Sequence, residues 1–212
     1  MAKRSKPVVA MNPPLKAAET QQNDRGFPVL IDGTTLIAAS LAMYEGDMLE
    51  DDSEEFLVDA AALELLNYGS REVELVEVTL KFENTQMNFC GTNIPAGGRV
   101  LIIERDGASW IDGHCVDCTG WVQYAEDTPL TDTQLQIQDV DLGRIRVSNL
   151  TGHRLDDIWL FYKNYLHDDK IYLGGITYIE VIPTLAPGEQ IVLSLPRYVS
   201  GYSKIIKARE LG

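Results

Sequence analysis

Val73-Glu74-Leu75-Val76-Glu77-Val78-Thr79-Leu80-Lys81-Phe82 alternates in character: Val76, Val78, Leu80 and Phe82 are apolar, and Glu77, Thr79 and Lys81 stand between them. A period of two turns one set of side chains to a core and the other to water. The stretch, continued to Phe89, therefore predicts half-buried strand. Asn67-Tyr68-Gly69-Ser70 reads as the turn before it and Ile94-Pro95-Ala96-Gly97-Gly98 as the turn after it. Val100-Leu101-Ile102-Ile103 has no polar member and reads as an interior strand. Upstream, Val29-Leu30-Ile31 runs into Asp32-Gly33 and then Thr34 to Leu41. Asp-Gly between apolar runs signals a hairpin, although Leu36, Ile37 and Leu41 also fit the start of a short helix.

The same grammar returns in the second half. Asn67 corresponds to Asn149, Val73 to Leu155, Val76 to Ile158, Val78 to Leu160 and Leu80 to Tyr162, all at a constant offset of 82. Val100 and Ile102 correspond to Ile191 and Leu193 at an offset of 91, as Ala96-Gly97 does to Pro187-Gly188. The second copy thus carries about nine extra residues in its central hairpin, around His167-Asp168-Asp169-Lys170. Gly174-Gly175 inside the run Tyr172 to Ile182 marks a bulge or a close backbone approach. The expected fold class is all-β: two tandem immunoglobulin-like antiparallel β-sandwiches, residues 29–127 and 133–212, joined near Thr128 to Asp132. Residues 1–28 hold no sustained period and are expected to form a disordered tail.

The chain has 212 residues and a net charge of -14. That balance argues against nucleic acid and against an anionic membrane surface, both of which select basic faces. No apolar run approaches the ~20 residues of a membrane helix, so no membrane insertion is expected. Val8-Val9-Ala10-Met11 is cut short by Asn12-Pro13-Pro14, too brief for a secretory signal, which leaves the cytoplasm as the default location. Glu45 to Asp59 holds eight acidic residues and no basic one. It lacks the ordered ligand spacing of a calcium loop and reads as a solvated loop held extended by self-repulsion.

His114-Cys115-Val116-Asp117-Cys118 is the sharpest local motif, with Cys90 upstream. Three readings stay open: structural thiols, a disulfide, or a zinc site in which Cys115 and Cys118 chelate and Cys90 and His114 complete a tetrahedron. Against zinc, His114 adjoins Cys115, and neighbours in extended chain point apart. The histidines His114, His153 and His167 form no His-Glu-x-x-His, and neither a Gly-x-Ser-x-Gly elbow nor a phosphate-binding Gly-rich loop occurs. The chain therefore reads as a non-enzyme without a resident cofactor. Trp159, Tyr162, Tyr172, Tyr178 and Tyr198 crowd the second module, as core or as an exposed platform for a partner.

Asn149 to Val192, with Leu185-Ala186-Pro187-Gly188-Glu189, resembles the small immunoglobulin-like modules of bacteria of the FxLYD kind. Phe161-Tyr162-Lys163-Asn164, Tyr172-Leu173-Gly174-Gly175-Ile176-Thr177-Tyr178 and Arg197 to Ser203 are similar to two-module proteins of anaerobic gut Firmicutes. The likeness spans about residues 60 to 210. It implies a tandem β-sandwich, a bacterial source and frequent export, and it brings no catalytic residue. The expected function is that of a binding or structural accessory protein with another protein as its partner. The alternative is a small metal- or redox-active module built on the cysteines.

Overall fold

The computed structural model describes residues 25–47, 56–104, 106, 108–141, 143–166 and 171–211. Among them the structure is all-β, with no helix. The strands are β1 (Val29–Leu30), β2 (Leu36–Asp47), β3 (Phe56–Asn67), β4 (Val73–Lys81), β5 (Gln86–Ile94), β6 (Arg99–Ile103) and β7 (Asp117–Tyr124). They continue as β8 (Leu135–Asp141), β9 (Arg144–Asn149), β10 (Leu155–Leu166), β11 (Ile171–Leu185), β12 (Gln190–Ser194) and β13 (Ser203–Glu210). The ambiguous stretch after Asp32-Gly33 is strand. Gly33 takes φ +72, Thr34 N donates to Ile31 O at 3.1 Å, and β1 pairs antiparallel with β2.

Alternation dictates the packing. Val76, Val78 and Leu80 of β4 point inward onto Leu63, Leu65, Val100 and Ile102, so β5-β4-β7 closes over β2-β3-β6 around one core. Ile158, Leu160 and Tyr162 of β10 meet Ile145 and Val147 of β9 in a second core, between β11-β10-β13 and β12-β9-β8. The two strand orders are the same. Advancing β3 by 82 and β6 by 91 maps the pair Leu65↔Val100 onto Val147↔Ile191. The same shifts map Val78↔Phe89 of β4–β5 onto Leu160↔Glu180 of β10–β11.

The repeat extends to single hydrogen bonds. The Asn67 amide nitrogen is shared among the carbonyls of Arg71 (2.8 Å), Ile94 (3.2 Å) and Pro95 (3.1 Å), and its Oδ1 accepts from Gly69 N at 3.0 Å. The Asn149 amide nitrogen donates to His153 O (2.8 Å) and Leu185 O (2.9 Å), and its Oδ1 accepts from Thr151 N at 2.8 Å. Both side chains are fully buried and tie the turn after one strand to the end of a strand in the facing sheet.

The modules are not merely strung together. β6 pairs in parallel with β11 through Val100↔Tyr172 and Leu101↔Leu173, which fuses the two halves into one seven-stranded sheet, β1-β2-β3-β6-β11-β10-β13. Tyr172 and Leu173 lie in the part of β11 that has no counterpart in β5, so the insertion in the second module builds the junction. Gly175 then passes so close to the Cys90 carbonyl that any Cβ would collide with it. Its own carbonyl accepts from Thr92 Oγ1 at 2.9 Å and from the buried Lys163 Nζ at 3.1 Å. Thr177 Oγ1 lies 3.0 Å from Thr92 Oγ1, so the Thr177 side of β11 faces β5, while Tyr178 on its other side joins the second core. The two cores therefore occupy opposite faces of the shared sheet.

A charged cluster seals the junction. Lys207 Nζ is 2.9 Å from Glu72 Oε1 and 3.1 Å from Asp127 Oδ2; Arg209 Nη1 is 3.1 Å from Asp127 Oδ2 and 3.9 Å from Glu74 Oε1. Glu72 Oε1 has no aligned hydrogen bond, so its contact with Lys207 is one of charge alone. Burial alone would raise the Asp127 carboxyl, but hydrogen bonds from Lys207 and Arg209 and their charges outweigh it and hold it below its ordinary range.

Two expectations need correction. Phe27 is buried in the first core and Arg25 pairs with Asp112 at 2.6 Å, so residues 25–28 belong to the fold rather than to a tail. Residues 1–24 lie outside the described residues. The acidic tract is not all loop, since Glu45–Asp47 end β2 and Phe56–Asp59 begin β3; residues 48–55 lie outside the described residues.

Asn149→Ala strands the buried Leu185 carbonyl and releases the His153 carbonyl and Thr151 amide of the turn, and is expected to lower stability by about 1–3 kcal/mol in urea unfolding, with Asn67→Ala acting alike. The Asp127 carboxyl is held low in the fold, so its stabilisation is present above the ordinary carboxylate value and is lost as pH falls below about 4. Asp127→Asn is expected to lower the melting temperature at pH 7 and to flatten its decline between pH 5 and 3.

Candidate functional site

The Cys-x-x-Cys motif sits where the chain enters β7. Val116 N donates to Lys81 O at 2.9 Å while Asp117 is the residue paired with Lys81, so two residues face one and the strand bulges. The extra residue resets the alternation and brings both Cys115 and Cys118 to the core side. Cys115 is buried there, and Cys118 packs against the same cluster. Cys115 N donates to Arg25 O at 2.9 Å, and Cys115 Sγ donates to Asp117 O at 3.2 Å. Gly26 makes the first contact feasible. It takes φ +84, and a Cβ there would stand 2.7 Å from the Cys115 carbonyl.

Cys90 is elsewhere. It pairs with Glu77, which pairs on its other side with Trp121, so all three project from the outer face of β5-β4-β7. Cys118 pairs with Leu80 on the inner face. The pleat separates Cys90 from the Cys115–Cys118 pair and rules out the four-ligand arrangement. The His114 ring lies over Gly26. Among the described residues no three His, Cys, Asp or Glu side chains converge on a point that could hold a metal ion.

Cys115 and Cys118 line a shallow depression of about 270 Å³ with Val29, Leu30, Asp32 and Asp117. Burial raises the Cys115 thiol. Burial, with the charges of Cys115 and Asp117 adding to it, pushes Cys118 up to about 11. Both thiols therefore stay protonated at neutral pH and are poor nucleophiles.

The aromatic residues divide between core and junction. Tyr162 and Tyr198 are buried, and Tyr178 packs on Tyr162 with ring centres 5.3 Å apart. Tyr162 OH donates to Pro196 O at 2.7 Å and Tyr198 OH to Asp139 Oδ1 at 2.6 Å. Burial, reinforced by Glu180, pushes Tyr162 up to about 12. These three rings fill the second core and form no exposed platform. Trp159 lies on the opposite face of β10, beneath the Arg209 guanidinium at 5.4 Å and beside Phe161 at 6.3 Å. The Tyr172 backbone pairs with Val100, and its side chain lies outside the described residues.

The junction residues Lys163, Lys207, Arg209, Glu72 and Asp127 were not among the expected site residues. A signal for them was present. At positions equivalent to Glu77 and Thr79, the second module has Trp159 and Phe161, apolar on a face that would otherwise be wet. No protein-family model matches this chain, and no curated protein matches it.

With its thiol near 11, Cys118 is expected to react roughly a hundredfold more slowly than an unburied cysteine with iodoacetamide at pH 8 in the folded chain, and at the ordinary rate in denaturant. Alkylation followed by peptide mass spectrometry at timed intervals checks this.

Proposed function

We propose that this chain is a non-enzymatic protein-binding or structural accessory protein, made of two immunoglobulin-like sandwiches that act as one rigid scaffold. The observation that carries the reading is where its large apolar side chains stand exposed. Met43, Phe56, Val58, Trp121, Ile179 and Val181 lie exposed on strand surfaces, and none of them lines the depression beside Cys115 and Cys118. Side chains spread over flat sheet faces suit a macromolecular partner better than a small substrate, which needs a concave site. The sheet shared by the modules, with the Lys207 and Arg209 pairs beside it, keeps these surfaces in fixed relative positions. Fixed geometry lowers the ordering cost of binding a large partner.

A second reading rests on the bulge at Val116-Asp117, which brings Cys115 and Cys118 to the same side as a disulfide-forming pair or a two-ligand metal anchor. Intact-mass analysis with and without reductant, plus metal analysis, tests it. Three alkylatable thiols and no bound metal in the natively purified chain overturn it.

For the leading reading, mild crosslinking in the source cells is expected to yield a discrete complex larger than the single chain. Ile179→Asp with Val181→Asp tests one of the exposed faces, with an unchanged melting temperature as the control for folding. A chain that migrates at its own mass in every crosslinked sample overturns the reading.

A further inference from the structure

The internal repeat exposes an addition to the first module. Advancing β2 by 99 and β3 by 82 maps the pair Ala42↔Ala62 onto Asp141↔Arg144, the last pair of β8–β9. Past that point β8 and β9 are separated by two residues, whereas β2 and β3 continue pairing out to Asp47↔Phe56. The β2–β3 hairpin therefore overhangs its sandwich.

The two faces of the overhang differ. Tyr44, Ala60 and Leu57 point to one side and pack with Leu101 and Ile103. Met43 pairs with Ala61, a first-core residue, and so points to the other side. Phe56 and Val58 flank Leu57 and share the side of Met43. Among the described residues that side is left largely open: Met43 is 44%, Phe56 47% and Val58 62% exposed. Glu45 and Asp59 stand exposed beside them, within a tract of eight acidic residues and no basic one.

We propose that this overhanging face, with Met43, Phe56 and Val58 at its centre and Glu45 and Asp59 at its rim, docks a basic segment of another protein. The inference rests on the protein-binding reading above and specifies the surface and the partner's chemistry. Apolar side chains at the centre supply affinity, and the acidic rim selects Lys- and Arg-bearing partners and rejects acidic ones. A second copy of this chain is disfavoured by its own charge of -14. The segment that fits presents two or three apolar side chains flanked by lysine or arginine.

The test places the photo-crosslinker p-benzoylphenylalanine at position 56 of the full chain, and separately at positions 121 and 179, in extracts of the source cells. Position 56 is expected to give one dominant adduct whose crosslinked peptide carries net positive charge. Its yield is expected to fall about fivefold or more with Val58→Ser, with Glu45→Gln plus Asp59→Asn, or at 0.5 M salt. Val58 is exposed, so Val58→Ser leaves the melting temperature within about 2 °C. An adduct at position 121 or 179 with none at 56 overturns this inference and leaves the protein-binding reading standing. An adduct at 56 with a neutral or acidic segment, a second copy or residues 1–24 of the same chain overturns the inference as well. No adduct at any position overturns both.

Discussion

An exposed strand edge carries unpaired N–H and C=O groups that must find partners or be protected. β6 presents such an edge, because the sandwich built on β2-β3-β6 ends with it. The organisation of this protein follows from how that edge is closed. Tyr172 and Leu173, in the extended start of β11, add to β6 in parallel, and one sheet then runs through both modules. Once the sheet is continuous, the two cores fall on its opposite faces, and the outer face of β10 and β13 comes under the ends of β4 and β7. That face holds Lys163, fully buried, and Lys207, nearly so. A buried ammonium is tolerated only with partners close at hand. The Gly175 carbonyl serves Lys163, and Glu72 and Asp127 serve Lys207.

Within each module a single asparagine fixes the geometry. Asn67 and Asn149 each bind backbone groups of their own turn and a carbonyl at the end of a strand in the facing sheet. Replacement by any apolar residue leaves those carbonyls unsatisfied in the interior. The amide is the smallest side chain with both donors and an acceptor that reaches all of them. Its recurrence in both halves, with the same partners after the shifts of 82 and 91, identifies it as part of the building plan of the module.

The strands were legible in the sequence because one wet face and one dry face write themselves as alternation. The offsets from Asn67 to Asn149 and from Val100 to Ile191 were legible for the same reason, since inward positions recur on a strict period. The junction was not, because alternation reports which side of a strand is dry but not what covers it. Trp159 and Phe161 could signal core, platform or interface until β4 and β7 were seen to end above them. The cysteine site was legible only in part. The motif placed Cys115 and Cys118 in one neighbourhood, but the bulge that sets them on one side has no sequence mark. The exclusion of Cys90 follows from its pairing with Glu77, a register fact. Tyr162, Tyr178 and Tyr198 were ambiguous because a tyrosine with a buried ring and a bonded hydroxyl looks the same in sequence as one on a surface.

The hairpin extension that closes β6 is present once. The strand equivalent to β6 in the second half is β12, and the hairpin β4–β5 in the first half has no extension of its own. Each unit thus has a socket, and only the later one has a plug. A longer array would grow only if every added unit brought such a plug, whereas duplicating the first unit would lengthen the chain without coupling the new piece. Copy number and mechanical continuity in this architecture are governed by one insertion of about nine residues.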